Sequence, residues 1–230
     1  MKTLIILPTY NEIENIGHLI PKIKYIMPDA HILVVDDNSP DGTSKHVKDI
    51  ELNNVFVLDR HKKEGLGKAY IAGFKWALKR DYDLIFEMDA DFSHNPKYLE
   101  DFLVAAEHAD VVIGSRYIKG GGVKDWPAHR RLLSRFGNIG ARMIAGIPIK
   151  DCTSGFKCFK RKVLESINFN NVSSFGYSFQ VEMNHLALKN GFKIKEIPII
   201  FTDRKHGTSK MSGKIVREAF ELLWKLRMKK

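Results

Sequence analysis

Residues 84–96 read Leu84-Ile85-Phe86-Glu87-Met88-Asp89-Ala90-Asp91-Phe92-Ser93-His94-Asn95-Pro96. A short apolar run stops at two aspartates, and Asn95-Pro96 then turns the chain into a helical pattern. That order predicts a strand whose carboxyl end carries Asp89 and Asp91. Open α/β sheets bind ligands at this edge. An Asp-x-Asp pair offers two hard oxygen donors one residue apart, suited to Mg²⁺ or Mn²⁺ that keeps its other positions for water and substrate phosphates. In isolation the same residues also describe an ordinary turn with a helix cap.

The flanking sequence repeats the unit. Residues 3–7 form a compact apolar run that ends in Pro8-Thr9-Tyr10-Asn11-Glu12, followed by Ile13, Ile16, Ile20 and Ile23 at helical spacing. Residues 32–35 form another, closed by Asp36-Asp37-Asn38-Ser39-Pro40-Asp41-Gly42 before a helix start at Thr43 or Ser44. A third strand at 55–58 leads through a basic, Gly-containing loop at 60–67 into a helix at 68–78. The helix after Asp91 spans about 96–107, and 111–113 makes a fifth strand. Alternating strands and helices predict an α/β fold with a mostly parallel, Rossmann-like, doubly wound sheet. The acidic loops at 8–12, 36–41 and 89–91 then fall on one edge. No strand runs into a full Gly-x-Gly-x-x-Gly or a Walker-type Gly-Lys-Ser/Thr. Gly65-Leu66-Gly67 is either a loop entering the next helix or a phosphate or sugar contact.

Beyond residue 113 the pattern changes. Gly114-Ser115-Arg116-Tyr117 leads through a glycine-rich segment to Trp126-Pro127 and a helix at 129–147. Leu132, Phe136, Ile139 and Met143 form its apolar stripe, with Arg131, Arg135 and Arg142 within about 40° of one another at 100° per residue. Such a helix either packs on a core or lies at a lipid interface. Residues 151–156 read as a polar turn before a short apolar run at 157–159. A helix at 178–188 carries Glu182 and His185 at i, i+3, either a catalytic or metal pair or an exposed polar pair. Residues 194–201, with Pro198 inside, are expected to be an edge strand. A basic loop at 202–210 follows, and Ile215, Ala219, Leu222, Leu223 and Leu226 give an amphipathic basic helix at 212–230. Residues 1–211 are expected to form one domain, with 212–230 appended.

Composition narrows the partners. The 230 residues are 44% hydrophobic and 28% charged, which argues against a largely disordered chain. No window approaches ~18 uninterrupted apolar residues, and Met1-Lys2 runs directly into a strand, so a cytoplasmic protein is expected. Cys152 and Cys158 lack metal-site spacing and read as reduced structural thiols. The net charge of +10 suits nucleic acid, an anionic membrane surface or phosphorylated substrates. Acids at three strand ends would repel a nucleic-acid backbone, so no nucleic-acid partner is expected.

Pro8-Thr9-Tyr10-Asn11-Glu12, Asp36 through Thr43, Met88-Asp89-Ala90-Asp91, Gly114-Ser115-Arg116-Tyr117, and Arg204 through Gly207-Thr208-Ser209-Lys210 occur in an order that resembles the inverting family 2 glycosyltransferases of GT-A fold. The resemblance is strongest to their polyprenyl (dolichyl) phosphate mannosyltransferase branch. It implies that Pro8, Tyr10, Glu12, Val35 and Asp37 bind guanosine of GDP-mannose, while Asp89, Ala90 and Asp91 hold the diphosphate through a divalent metal, Mg²⁺ or Mn²⁺. Arg116, Arg204 and Lys210 would contact donor or acceptor phosphates, and Arg130 and Ser134 would face the acceptor phosphate. Some members carry a metal-binding Gln two residues beyond the second Asp. Ser93 stands there in this chain, so Ser93 or water would complete coordination. The implied reaction gives polyprenyl phosphate β-mannose on the cytosolic face of a membrane, by a peripheral protein held by its own amphipathic surface or by small membrane-anchoring subunits. A UDP-glucose enzyme acting on the same lipid phosphate is the nearest alternative. A basic module binding nucleic acid or an anionic surface, and a phosphohydrolase with Asp89 as nucleophile, are the alternatives from other classes.

Overall fold

A computed structural model describes residues 1–172, 174 and 176–203. Arg204, Lys210, the rest of the basic loop beyond Asp203 and the tail helix expected at 212–230 lie outside the described residues.

The first half alternates as expected: β1 (Thr3–Thr9), α1 (Ile13–Ile26), β2 (His31–Asp36), α2 (Thr43–Asp49), β3 (Val55–Asp59), α3 (Leu66–Leu78), β4 (Leu84–Glu87), α4 (Leu99–Ala106) and β5 (Val111–Ser115). Then come β6 (Gly122–Lys124), α5 (Ala128–Ala145), β7 (Lys157–Lys160), α6 (Arg161–Glu165), α7 (Tyr177–Lys189), β8 (Ile194–Pro198) and β9 (Ile200–Thr202). A seven-stranded sheet runs β3-β2-β1-β4-β7-β5-β8, parallel except for β7.

Strand side chains alternate between faces, and both faces of a parallel sheet are covered, so the middles of β1 and β2, Leu4 to Leu7 and Ile32 to Val35, are continuously apolar. Leu4, Ile6, Leu33 and Val35 pack on the α3 side. Ile5, Leu7, Ile32 and Val34 pack on the opposite side with Ile16, Leu19, Ile20 and Ile23 of α1. Gly73 of α3 is required by this packing. A methyl there would stand 2.8 Å from Ile6 Cγ2.

The second half departs from simple alternation. β7 enters antiparallel between β4 and β5, pairing Ile85 with Phe159 and Val112 with Cys158. The single edge strand expected over 194–201 is two strands. β8 ends at Pro198, Ile199 donates its N–H to Ser115 O and accepts from Gly122 N–H, and β9 crosses to a separate parallel pair with β6.

α5 turns its apolar stripe outward. Phe136 is 67% and Met143 72% exposed, with Leu132, Leu133 and Ile139 also open to solvent. The core-facing alternative for this stripe is therefore not adopted. Asn138 and Ala141 seat the helix instead. Asn138 Nδ2 donates to Lys150 O, and its Oδ1 accepts from the N–H of Cys152 at 3.0 Å. Both cysteines are buried and free. Burial pushes the Cys152 thiol up to about 12 and Cys158 higher still, so neither is a nucleophile near neutral pH. Among the described residues no helix is long and apolar enough to cross a membrane.

Candidate active site

The carboxyl ends of β1, β2 and β4 are adjacent in the sheet, so the three acidic loops meet. Cross-loop bonds hold them together. Asn11, at φ 60°, donates its N–H to Ser39 Oγ at 3.0 Å, and Glu12 N–H donates to Thr43 Oγ1 at 3.1 Å. Asp36 is structural, accepting from Thr9 Oγ1 at 2.8 Å and from the N–H and hydroxyl of Ser39. Its neighbour Asp37 accepts from the Arg60 guanidinium and from Glu64 N–H and reaches the cavity these loops surround.

That cavity encloses about 410 Å³. Pro8, Tyr10, Glu12 and Asp37 line one side, with Lys63 Nζ 3.5 Å from the centre of the Tyr10 ring. Asp89, Ala90 and Asp91 line its middle. Gly65 and Leu66 also line it, whereas Gly67 faces the core, where a methyl would meet the Phe179 ring and Ser174 O at 3.0 to 3.1 Å. Gly65 thus stands in the loop that enters α3 and faces the cavity, while Gly67 is a packing position. Val35 is not brought to the cavity as a side chain. It is fully buried beside α3, because strand alternation points it into the core.

The two central carboxylates are held differently. Asp91 is buried, and its Oδ1 accepts from Ser93 N–H at 3.1 Å and Ser93 Oγ at 2.5 Å. Phe92 between them sits at φ 62°, a conformation that bulky residues rarely adopt, so the turn is held against local strain. The Ser93 hydroxyl is thus turned onto Asp91, is itself buried, and does not line the cavity, which fits an orienting role better than that of a metal ligand. The Asp89 side chain is 31% exposed. Its Oδ1 accepts from Tyr70 OH at 3.3 Å, and its backbone N–H donates to His94 Nδ1 at 3.0 Å. That bond leaves any proton of the neutral ring on Nε2. Burial lowers His94 to about 4 and raises the Tyr70 hydroxyl well above its usual range, so both are neutral near pH 7.

Among the described residues no three His, Cys, Asp or Glu side chains gather as a closed metal site. Two carboxylates on an open cavity suit a hard cation that retains water and phosphate oxygens.

On the far side Arg116 lines the cavity but is bound from behind by Asp151. Its Nε donates to Oδ2 at 2.7 Å, and its Nη2 to Oδ1 at 2.8 Å and to Thr153 Oγ1 at 2.9 Å. Arg130 also lines the cavity, paired with Asp203 at 2.6 Å and 4.3 Å from the centre of the Trp126 ring. Ser134, one turn along α5, shares a hydrogen bond with Tyr117 OH at 2.7 Å and does not line the cavity.

Sequence reasoning missed several residues here. Asp151 lay in a segment read only as a polar turn. Gln180, Gly155 and His94 also line the cavity. The sole local signal for His94 was its place in the turn after Asp91. Beneath the site, Glu87 and Lys157 face each other across β4 and β7, both fully buried. Burial raises Glu87 to about 7 against the opposing pull of Lys157 and the nearby Gln180 amide, and burial lowers Lys157 to about 8. Glu182 and His185 are buried, not an exposed pair. Glu182 accepts from the N–H and hydroxyl of Ser174, anchoring the segment before α7.

Residues 4–167 match the family model described as glycosyl transferase family 2. The polyprenol monophosphomannose synthase of Mycolicibacterium smegmatis is 46% identical over 95% of this chain and 84% of its own length. The undecaprenyl-phosphate mannosyltransferase of Micrococcus luteus is 44% identical over 95% of this chain and 91% of its own. The dolichol-phosphate mannosyltransferase of Pyrococcus furiosus is 36% identical over 98% of this chain and 64% of its own. Among solved structures, glucosyl-3-phosphoglycerate synthase from Mycobacterium tuberculosis, in complex with Mn²⁺, UDP and glucosyl-3-phosphoglycerate, superposes with a TM-score of 0.71. It is 17% identical, over 99% of this chain and 80% of that one, a likeness of fold.

Proposed function

The chain belongs to glycosyl transferase family 2, and on that premise we propose that it transfers mannose from GDP-mannose to a polyprenyl phosphate with inversion at the anomeric carbon. The observation that carries this reading is the convergence of three acid-bearing strand ends on one cavity, with Asp89 and Asp91 at its centre. Relatives 36 to 46% identical are named for mannose transfer to polyprenyl phosphates, which weighs for mannose over the UDP-glucose alternative.

In this reading Pro8, Tyr10, Glu12 and Asp37 take the nucleoside, with Val35 contributing through its backbone. Asp89 and Asp91 hold Mg²⁺ or Mn²⁺, which when bound supplies Lewis-acid neutralisation of the departing diphosphate. The sugar's bond to the diphosphate oxygen breaks as an oxygen of the lipid phosphate bonds to the same carbon from the opposite face, and GDP leaves. A phosphate monoester has its second pKa near about 6, so the nucleophile is already anionic and needs no protein base. That agrees with a cavity whose His94, like Tyr70 behind Asp89, stays neutral and whose remaining groups are suited to positioning. Arg130 is the described cation best placed to meet the acceptor phosphate, with Ser134 on the same face of α5. Arg116, locked by Asp151, contributes a fixed positive edge for phosphate, and Arg204 and Lys210 are the further phosphate contacts that the family pattern suggests.

A lipid acceptor also gives the outward stripe of α5 a use. Leu132, Leu133, Phe136 and Met143, edged by Arg131 and Arg135, suit shallow insertion at an anionic membrane surface. That surface chemistry supports peripheral attachment, which in this reading is to the cytosolic face and is aided by small membrane subunits. No nucleic-acid role is included, because the acids face the cavity where a phosphate backbone would lie.

The test is product formation with a short polyprenyl phosphate and Mn²⁺, offering GDP-mannose and UDP-glucose separately. Mannosyl phosphate lipid from GDP-mannose is expected. Glucose transfer without mannose transfer overturns the assignment.

A further inference from the structure

The strand order gives the donor a direction. Nucleoside-binding loops end β1 and β2, the aspartates follow β4, and β7 is next, preceded by Gly155. A nucleotide sugar laid across this edge with its diphosphate at Asp89 and Asp91 carries its sugar over Gly155. A methyl at Gly155 would lie 3.5 Å from Gln180 Nε2, 3.5 Å from His94 Cε1 and 3.9 Å from Asp89 Oδ1. The Gln180 amide therefore stands beside the reacting end of the donor.

That amide lines the cavity while only 2% of the residue is exposed, and neither Nε2 nor Oε1 has a hydrogen bond of ordinary length and angle. A buried carboxamide without one well-formed hydrogen bond is uncommon in a folded protein. It is also held in place. Lys157 Nζ donates to the Gln180 backbone carbonyl at 2.9 Å, and the adjacent Phe179 ring stacks on Tyr70 with centres 6.1 Å apart. Glu87, the cross-strand partner of Lys157, lies near enough for the amide to draw its pKa down but makes no hydrogen bond of ordinary length and angle with it, so Nε2 keeps a second proton, and Oε1 its lone pairs, for a ligand. One N–H donor and one carbonyl acceptor side by side match two neighbouring hydroxyls of a hexose ring.

We infer that Gln180 is a specificity and positioning residue for the transferred sugar, hydrogen-bonding its hydroxyls from the cavity floor through the side-chain amide. This rests on the donor reading proposed above. It assigns the amide to the sugar and not to the nucleotide.

The experiment measures binding of GDP and of GDP-mannose by calorimetry with Mn²⁺, together with transfer, for the wild type and Gln180→Met, which keeps the volume and removes the hydrogen bonds. GDP affinity is expected to stay within about twofold. The extra affinity for GDP-mannose over GDP is expected to vanish, and kcat/KM for transfer to fall by roughly ten- to a hundredfold. Gln180→Asn keeps the amide but withdraws it by one methylene, and supplies the same comparison if the methionine variant folds poorly. Unchanged transfer in either folded variant overturns the inference while leaving the donor reading intact. A parallel loss of GDP affinity, or misfolding of both variants, assigns Gln180 to structure and overturns it too. A wild type that neither binds GDP nor transfers mannose defeats the donor reading itself.

Discussion

Arg116 and Asp151 meet as a buried, bidentate pair, and the same carboxylate also accepts the backbone N–H of Arg116 at 2.9 Å. The pair ties the end of β5 to the turn that reverses into β7, and so fixes the cavity wall opposite the nucleoside loops. Removing one partner leaves an uncompensated charge in the interior. Asp151→Ala is expected to cost about 3–5 kcal/mol of stability. Urea unfolding measures this, and a loss below about 1 kcal/mol contradicts the role.

Asp91 and Ser93 are expected to separate cleanly. Asp91→Ala removes a cation-binding carboxylate, so transfer should fall by at least about a hundredfold and Mn²⁺-dependent nucleotide binding should weaken. Ser93→Ala removes one hydrogen bond to Asp91, on the order of 1 kcal/mol, so its loss in kcat should stay within about tenfold. Calorimetric titration of Mn²⁺ with GDP on both variants checks this. Equal loss in the two would make Ser93 a ligand instead of an orienting group.

The buried cross-strand pair Glu87 and Lys157 should leave a mark on stability against pH. Glu87 is raised from 4.5 to about 7, so the folded state holds its proton more tightly, and its contribution to stability is lost as pH rises from about 4.5 through 7. His94, lowered from 6.5 to about 4, works in the opposite direction between about 4 and 6.5. Lys157, lowered from 10.5 to about 8, adds stability as pH rises through about 8 to 10.5. Subtracting Glu87→Gln from the wild type isolates the first effect. The variant should gain relative stability with each step from pH 4.5 to 7, followed by denaturant midpoints, and a flat difference rejects the assignment.

The outward face of α5 predicts a separation of binding from folding. Leu133→Ser with Phe136→Ser alters exposed side chains only, so stability should change by no more than about 0.5 kcal/mol per site. Co-sedimentation with phosphatidylglycerol vesicles should fall several-fold, while turnover on a short, water-soluble acceptor stays unchanged. Full vesicle binding by the double variant counts against a lipid-facing α5.

Local pattern was enough to read the first five strands, the acidic loops gathered on one sheet edge, and Asp89 and Asp91 among the residues that line the cavity. These rest on local information: an apolar run of strand length, a turn, and a helical period repeat within about 30 residues, and parallel crossovers then have one favoured hand. The remainder emerged from long-range packing. Four residues of β7 carry no signal of direction, and only their pairing with β4 and β5 fixed it. The stripe on α5 reads identically whether it meets a core or solvent, because periodicity records that a face is apolar and not what lies opposite. Asp151 and Gln180 became visible through contacts with residues 35 and 23 positions away, a separation over which sequence pattern is silent.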